Sequence, residues 1–195
     1  MSPIGKEANT FALPPGTDQY QTPPSFREAL NSVFHFDDYD PCPINPDGLR
    51  MVDGLGMTPA GVKCYFYNPP YSDVVPWLNM SIGDCRRGVS SFVLLKADTS
   101  TEWFHDQVVP YARPIWVRGR LSFRKSGYCG TCKNDPCLKP EGHPAPFNSF
   151  VAAFEPGKPL LPQSVAWRDP GVRIRDLKAE NWHILNRPLE DIKLA

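Results

Sequence analysis

The chain has 195 residues, with 21 basic and 21 acidic side chains, six cysteines and 23 prolines. That length suits one ordinary domain, and proline at more than twice its usual level excludes a helical bundle or a coiled coil. No run approaches the roughly 18 apolar residues of a membrane helix, and the N-terminus MSPIGKEANTF has no apolar signal core, so a soluble, cytoplasmic protein without membrane contact is expected. The zero net charge conceals an asymmetry. Residues 1–60 carry three basic and eight acidic side chains, whereas residues 113–139 carry seven basic ones (Arg113, Arg118, Arg120, Arg124, Lys125, Lys133, Lys139) against Asp135 alone. A local +6 interleaved with Trp116, Phe123 and Tyr128 suits a surface that faces nucleic acid. A solvated face beside a loop would have the same composition.

Residues 1–19 are polar and proline-broken, which predicts an extended arm. Pro24–Phe34 reads as a helix, with Phe26, Leu30, Val33 and Phe34 at helical spacing and Thr22 or Ser25 able to cap its start. Residues 37–61 are rich in Asp, Pro and Gly and show no period. Val62–Tyr67 (VKCYFY) is β-branched and aromatic, the mark of a short buried strand. A helix over 73–86, started or interrupted by Pro76, is followed by a second buried strand, Val89–Leu95. Thr101–Val109 predicts a helix with Trp103, Phe104 and Val108 on one side. Ile115–Val117, Leu121–Phe123 and Phe147–Phe154 complete the strands. Strands alternating with helices imply an α/β domain with a mainly parallel sheet. The last two strands, joined through a Cys-rich loop, are expected as an antiparallel hairpin at one edge. The expected organisation is an arm (1–19), a domain (20–154) with a Cys-rich insertion (126–144), and an extension (155–195) packed back through Trp167 and Trp182.

The sharpest motif is Asn68-Pro69-Pro70-Tyr71, directly after an apolar strand. Ligands of parallel sheets bind at the carboxyl ends of strands. The tetrapeptide suits methylation of an aromatic exocyclic amine, whose lone pair is delocalised and poorly nucleophilic. The Asn68 side-chain oxygen and the Pro69 carbonyl can accept its two N–H hydrogens, localising the lone pair and aiming it at an electrophilic methyl group. The two prolines fix φ and hold that carbonyl's direction. Tyr71 offers a flat face for a base extruded from a duplex. A Pro-Pro turn that merely closes a strand would share these residues.

An ordered series extends the motif: Asp18–Phe26 (DQYQTPPSF), Phe36–Pro41 (FDDYDP), Asp53-Gly54-Leu55, Asn68–Ser72 with Trp77, then Val89–Leu95, Glu102-Trp103-Phe104 and Gly119–Phe123 (GRLSF). Over roughly residues 18–154 this series resembles the phage-type DNA N6-adenine methyltransferases. The resemblance implies a Rossmann-like methyltransferase fold, S-adenosylmethionine as cofactor and double-stranded DNA, with its target adenine flipped, as partner. It implies catalytic roles for Asn68, Pro69, Pro70 and Tyr71. It also implies cofactor contacts from Tyr20, Thr22 and Pro23, from Asp40 after a first strand, from Asp53 and Leu55 at the adenine, and from Asn68. Composition alone reads Asp37, Asp38, Asp40 and Asp53 as turn and capping residues. The series departs from the family in two places. Asp40–Pro46 replaces a glycine-rich turn, and the tryptophan expected before the catalytic strand is missing.

Cys129, Cys132, Cys137 and His143 offer three thiolates and an imidazole within a short polar loop, a set suited to one structural zinc ion or, alternatively, to free thiols. Cys42, Cys64 and Cys85 are scattered and read as buried thiols. Arg118, Arg120, Arg124, Lys125 and Lys133 are the candidate DNA contacts, and Phe123 or Phe147 the second aromatic beside a flipped base. The readings that compete with DNA methylation are an RNA adenine or a protein glutamine amide as acceptor, and a zinc-containing nucleic-acid-binding protein with a decayed cofactor pocket.

Overall fold

The computed structural model describes residues 20–44, 50–56, 58–125, 143–158, 163–166 and 173–176. Helix α1 spans Pro24–Phe34, as its apolar spacing predicts, with Phe26 and Leu30 fully buried. Pro24 starts it because an N1 proline has no N–H to lose, and His35 ends it in the left-handed region at φ 55°. Strand β1 (Tyr20–Gln21) precedes it.

Strand β2 (Cys64–Tyr67) leads through the Asn68–Tyr71 motif into α2 (Val75–Arg86), where Pro76 stands in the first turn. Strand β3 (Ser90–Lys96) pairs in parallel with β2, Phe66 opposite Phe92. The predicted helix over 101–109 becomes a wide π turn, Phe104–Val108, with Phe104 and Val108 buried. Then follow β4 (Arg113–Val117), β5 (Ser122–Lys125), β6 (His143–Pro144), β7 (Ser149–Phe154), β8 (Gln163–Ala166) and β9 (Arg173–Asp176).

The main sheet has the order β2-β3-β7-β4-β8-β9. β2, β3, β4 and β8 share one direction, while β7 and β9 run against them. The α/β class agrees with the sequence, but the mainly parallel sheet and the edge hairpin do not: only the β2–β3 and β4–β8 pairings of the main sheet are parallel. β7 is inserted in the middle, antiparallel to both β3 and β4, and every one of its six residues is buried. A strand covered on both faces is largely apolar, and the run FVAAF after Ser149 suits the centre of the sheet. The partner of β5 across the Cys-rich loop is instead β6, and both lie in a separate sheet of order β1-β5-β6. The segment after residue 154 contributes β8 and β9 to the main sheet; Trp167 and Trp182 lie outside the described residues, as does the predicted arm 1–19.

Side chains alternate between two cores. Tyr65, Tyr67, Val93, Leu95, Phe150, Ala152 and Phe154 pack against α2 and the π turn. Phe66, Phe92, Leu94, Ile115, Val151 and Ala153 pack on the opposite face with Phe26 and Leu30 of α1. The first strand implied at Phe36–Pro41 does not form. This segment lies along the free edge of β2, where the Asp37 carboxylate accepts from Lys63 N (2.7 Å) and Cys64 N (3.0 Å), and Asp37 N donates to the Cys64 carbonyl (2.7 Å). Those two N–H donors hold the Asp37 carboxyl below its ordinary value. A carboxylate thus satisfies edge donors that another strand would otherwise take. Among the described residues, no helix is long and apolar enough to cross a membrane.

Candidate active site

A cavity of about 510 Å³ opens at the carboxyl end of β2. Tyr20, Gln21 and Thr22 wall one side, Arg27 and Glu28 of α1 another, and Asp38, Asp40, Cys42 and Arg50 a third; Phe66 and Asn68 close it from the sheet. Four residues expected at the cofactor, Tyr20, Thr22, Asp40 and Asn68, therefore meet at one cavity. Pro23 is buried just before α1. Asp53 and Leu55 are exposed and are not among the residues lining the cavity. Their turn instead rides on its wall, with Gly54 N donating to the Pro41 carbonyl (3.2 Å).

Asn68 is 4% exposed, and its two amide atoms have different fates. Nδ2 donates to the Tyr20 carbonyl at 2.7 Å, and that acceptor fixes which way the amide faces. Oδ1 is buried and has no hydrogen-bond partner. An unpaired buried acceptor ordinarily costs about 1–3 kcal/mol, and this one belongs to a residue of the cavity wall. Pro69 and Pro70 are buried behind it.

Arg50 has no distinctive pattern around it and was missed in the sequence, yet it organises this corner. It is 2% exposed. Its Nη1 donates to the Asn68 carbonyl and to the Cys42 carbonyl (3.1 Å), and its Nη2 donates to the Tyr20 carbonyl (2.9 Å). One guanidinium thus ties three distant segments, a task suited to its rigid fork of donors. A short antiparallel contact between Ile44 and Arg50, with Met51 N on the Pro43 carbonyl (2.8 Å), brings it there. The Cys42 thiol is buried beside it and donates to the Asn68 carbonyl at 3.4 Å; burial pushes its pKa well up, which makes it an inert packing group. Cys64 and Cys85 are only partly buried, a correction to the reading of all three as buried thiols.

Asp40 keeps partial solvent contact but is densely surrounded. Lost solvation raises its carboxyl above the ordinary value, although Cys42 N, at 2.9 Å, and the charges of Arg50 and Arg27 pull the other way. A cationic ligand in the cavity would offset that cost. The cavity fits S-adenosylmethionine: its size is that of a small-molecule site, Asp38 and Asp40 suit the cationic groups, Arg27 suits the carboxylate, and Phe66 is an apolar wall.

Tyr71 lies beyond Asn68 in an aromatic cluster. Its ring centroid is 5.9 Å from Tyr20 and 5.8 Å from Phe147, the latter edge-on at 88°. Phe123 lies 5.7 Å from Tyr20 and 5.8 Å from Phe147. Of the two candidate second aromatics, the half-buried Phe147 touches Tyr71, while Phe123 packs on Tyr20 and Phe147. Arg118 and Arg120 are exposed at the turn after β4. Arg113 of the basic stretch is buried and forms an ion pair with Glu155, so it is not available to a phosphate. The side chains of Arg124 and Lys125, and all of Lys133, lie outside the described residues. So do Cys129, Cys132, Cys137 and the His143 side chain; among the described residues, no group of three or more His, Cys, Asp or Glu could hold a metal ion.

No curated protein and no solved structure matches this chain. A family model does: that of the DNA N-6-adenine-methyltransferases (Dam), which matches residues 53–137 and so runs from Asp53 through the Asn68–Tyr71 motif into the Cys-rich loop. Such a match supports DNA adenine N6-methyltransferase activity in general. Over residues 53–137, this chain is similar to the DNA N-6-adenine-methyltransferase (Dam) family.

Proposed function

We propose that the protein transfers a methyl group from S-adenosylmethionine to the N6 amine of an adenine extruded from duplex DNA. The observation that carries this reading is the buried, partnerless Oδ1 of Asn68 at the cavity wall. An exocyclic amine entering from the Tyr71 side would supply the missing donor. Asn68 Oδ1 accepts one N–H, the Pro69 carbonyl accepts the other, and the lone pair is left facing the cavity. The cofactor, held by Tyr20, Thr22, Arg27, Asp38 and Asp40, supplies an activated methyl group with a neutral thioether as leaving group. No strong base is needed, because the amine's proton can leave after transfer. The protein's own contribution is then alignment of amine and methyl group, with Arg50 and Tyr20 setting the Asn68 amide in advance. Tyr71 supplies the stacking surface, and Arg118 and Arg120, with Arg124, Lys125 and Lys133, contact phosphates.

Incubation with methyl-labelled S-adenosylmethionine and unmethylated duplex DNA, RNA and protein acceptors tests the reading. Label is expected in DNA and, after digestion to nucleosides, in N6-methyladenine. Label only in RNA or protein would overturn it.

A further inference from the structure

Lys96 is the last residue of β3, where that strand runs three residues past Val93, the partner of Tyr67, and pairs with Ser149 of β7. Its ammonium therefore arrives between the Asn68–Tyr71 motif and Phe147. It lies 5.0 Å from the Tyr71 ring centroid and 5.0 Å from that of Phe147. The two rings stand edge-on at 5.8 Å, which leaves no slot for a third ring between them. A base stacking on Tyr71 from this side must displace the ammonium. Among the described residues, no acid forms an ion pair with the Lys96 ammonium. Ion pairs among the described residues are Arg87–Asp84, Arg113–Glu155 and Lys158–Glu155, and Asp98, the acid that feels the Lys96 charge, is exposed and already bound by Ser100 Oγ (2.7 Å) and N (3.2 Å).

We propose that Lys96 is a DNA-binding residue that rests on the Tyr71 and Phe147 rings in the free protein and moves to a backbone phosphate of the extruded nucleotide when the base takes its place. A lysine suits this exchange. Its compact charge on a flexible four-carbon stem can swing between ring faces and a phosphate, with three donors and no acceptor. The extruded nucleotide brings an aromatic base and an anion together, and the base evicts the ammonium that the anion then receives. The proposal rests on the DNA-methylation reading and adds a contact outside the basic stretch 113–139.

The test is methyl transfer onto unmethylated duplex DNA of mixed sequence, with kcat/KM measured over a range of salt for the parent protein, Lys96→Met and Lys96→Arg. Each phosphate contact contributes a slope of about −0.9 to the log–log salt dependence. Lys96→Met should lower kcat/KM at low salt and make the slope shallower by about 0.9, with cofactor affinity unchanged. Lys96→Arg should keep the parent slope. A Lys96→Met protein with the parent slope would overturn the proposal, since a lysine that only props the rings apart contributes no counterion release. If the parent protein itself methylates no DNA, the underlying reading fails with it; if the parent is active and the slopes coincide, only Lys96 is misassigned.

Discussion

Asn68 and Tyr20, 48 residues apart, share one hydrogen bond of 2.7 Å from the Asn68 amide to the Tyr20 carbonyl, and this bond leaves the Asn68 oxygen as a free buried acceptor. Asn68→Ala removes that acceptor and should lower the single-turnover rate by roughly 10²–10³-fold, the usual effect of deleting a hydrogen-bond partner aimed at the reacting centre. Cofactor affinity should change only a few-fold. Turnover near that of the parent would remove Asn68 from the chemistry.

Arg50 donates to the Asn68 backbone carbonyl and to the same Tyr20 carbonyl that orients the Asn68 amide. Arg50→Lys keeps the charge but cannot reach three carbonyls with a rigid fork. The expected outcome is a lower kcat at nearly unchanged cofactor affinity, read by pre-steady-state kinetics. Arg50→Met leaves buried carbonyls unpaired and should also cost about 2–4 kcal/mol in urea unfolding. A lysine variant with full kcat would mean that the guanidinium only supports the fold.

Asp40 makes stability depend on pH. Its carboxyl is raised above the ordinary 3.8, first by lost solvation. The folded protein therefore holds the proton more tightly than the unfolded chain does. The stabilising contribution is full below 3.8 and is lost as pH climbs through the raised folded value. Asp40→Asn, which does not titrate, should gain thermal stability relative to the parent as pH rises above 3.8. It should also bind S-adenosylmethionine about tenfold or more weakly, for loss of a charged partner. Calorimetry at acidic and neutral pH, with titration of the cofactor, checks both signs. A variant less stable than the parent at neutral pH would contradict the assignment.

Gly54 has no room for a side chain. A Cβ there would lie 2.4 Å from the Pro41 carbonyl oxygen and 2.6 Å from the Pro41 Cα, both backbone atoms that cannot swing aside. Gly54→Ala should push residues 40–42 toward the cavity. The expected cost is about 1–3 kcal/mol of stability, together with weaker cofactor binding. Equilibrium unfolding and cofactor titration measure the two effects, and unchanged values for both would show that the turn yields freely.

Much of the fold was readable because its signals are local. Pro24 at the helix start and the spacing of Phe26 and Leu30 specify α1 without reference to any other segment. The apolar runs of β2 and β3 have to be buried wherever they lie, and Asn68–Tyr71 follows β2 in the chain, so its place at that strand's end was readable too. Tyr20, Thr22 and Asp40 came from resemblance to a family, and the cavity brings them together with Asn68.

The rest depends on contacts between residues far apart in sequence. Local pattern marks Phe147–Phe154 as a buried strand but cannot say that β7 enters between β3 and β4, because both an edge hairpin and a central strand begin from the same apolar run. Phe36–Pro41 stays outside the sheet because the Asp37 carboxylate already occupies the edge donors of β2. Arg50 and Lys96 were invisible as site residues. A guanidinium among three carbonyls and an ammonium over two rings are assembled only when four or five distant segments meet. Neighbours along the chain suffice for α1, α2, the apolar strands and the position of Asn68–Tyr71 after β2. Tertiary structure alone decided which way Asn68 faces, because the carbonyl that orients its amide belongs to Tyr20.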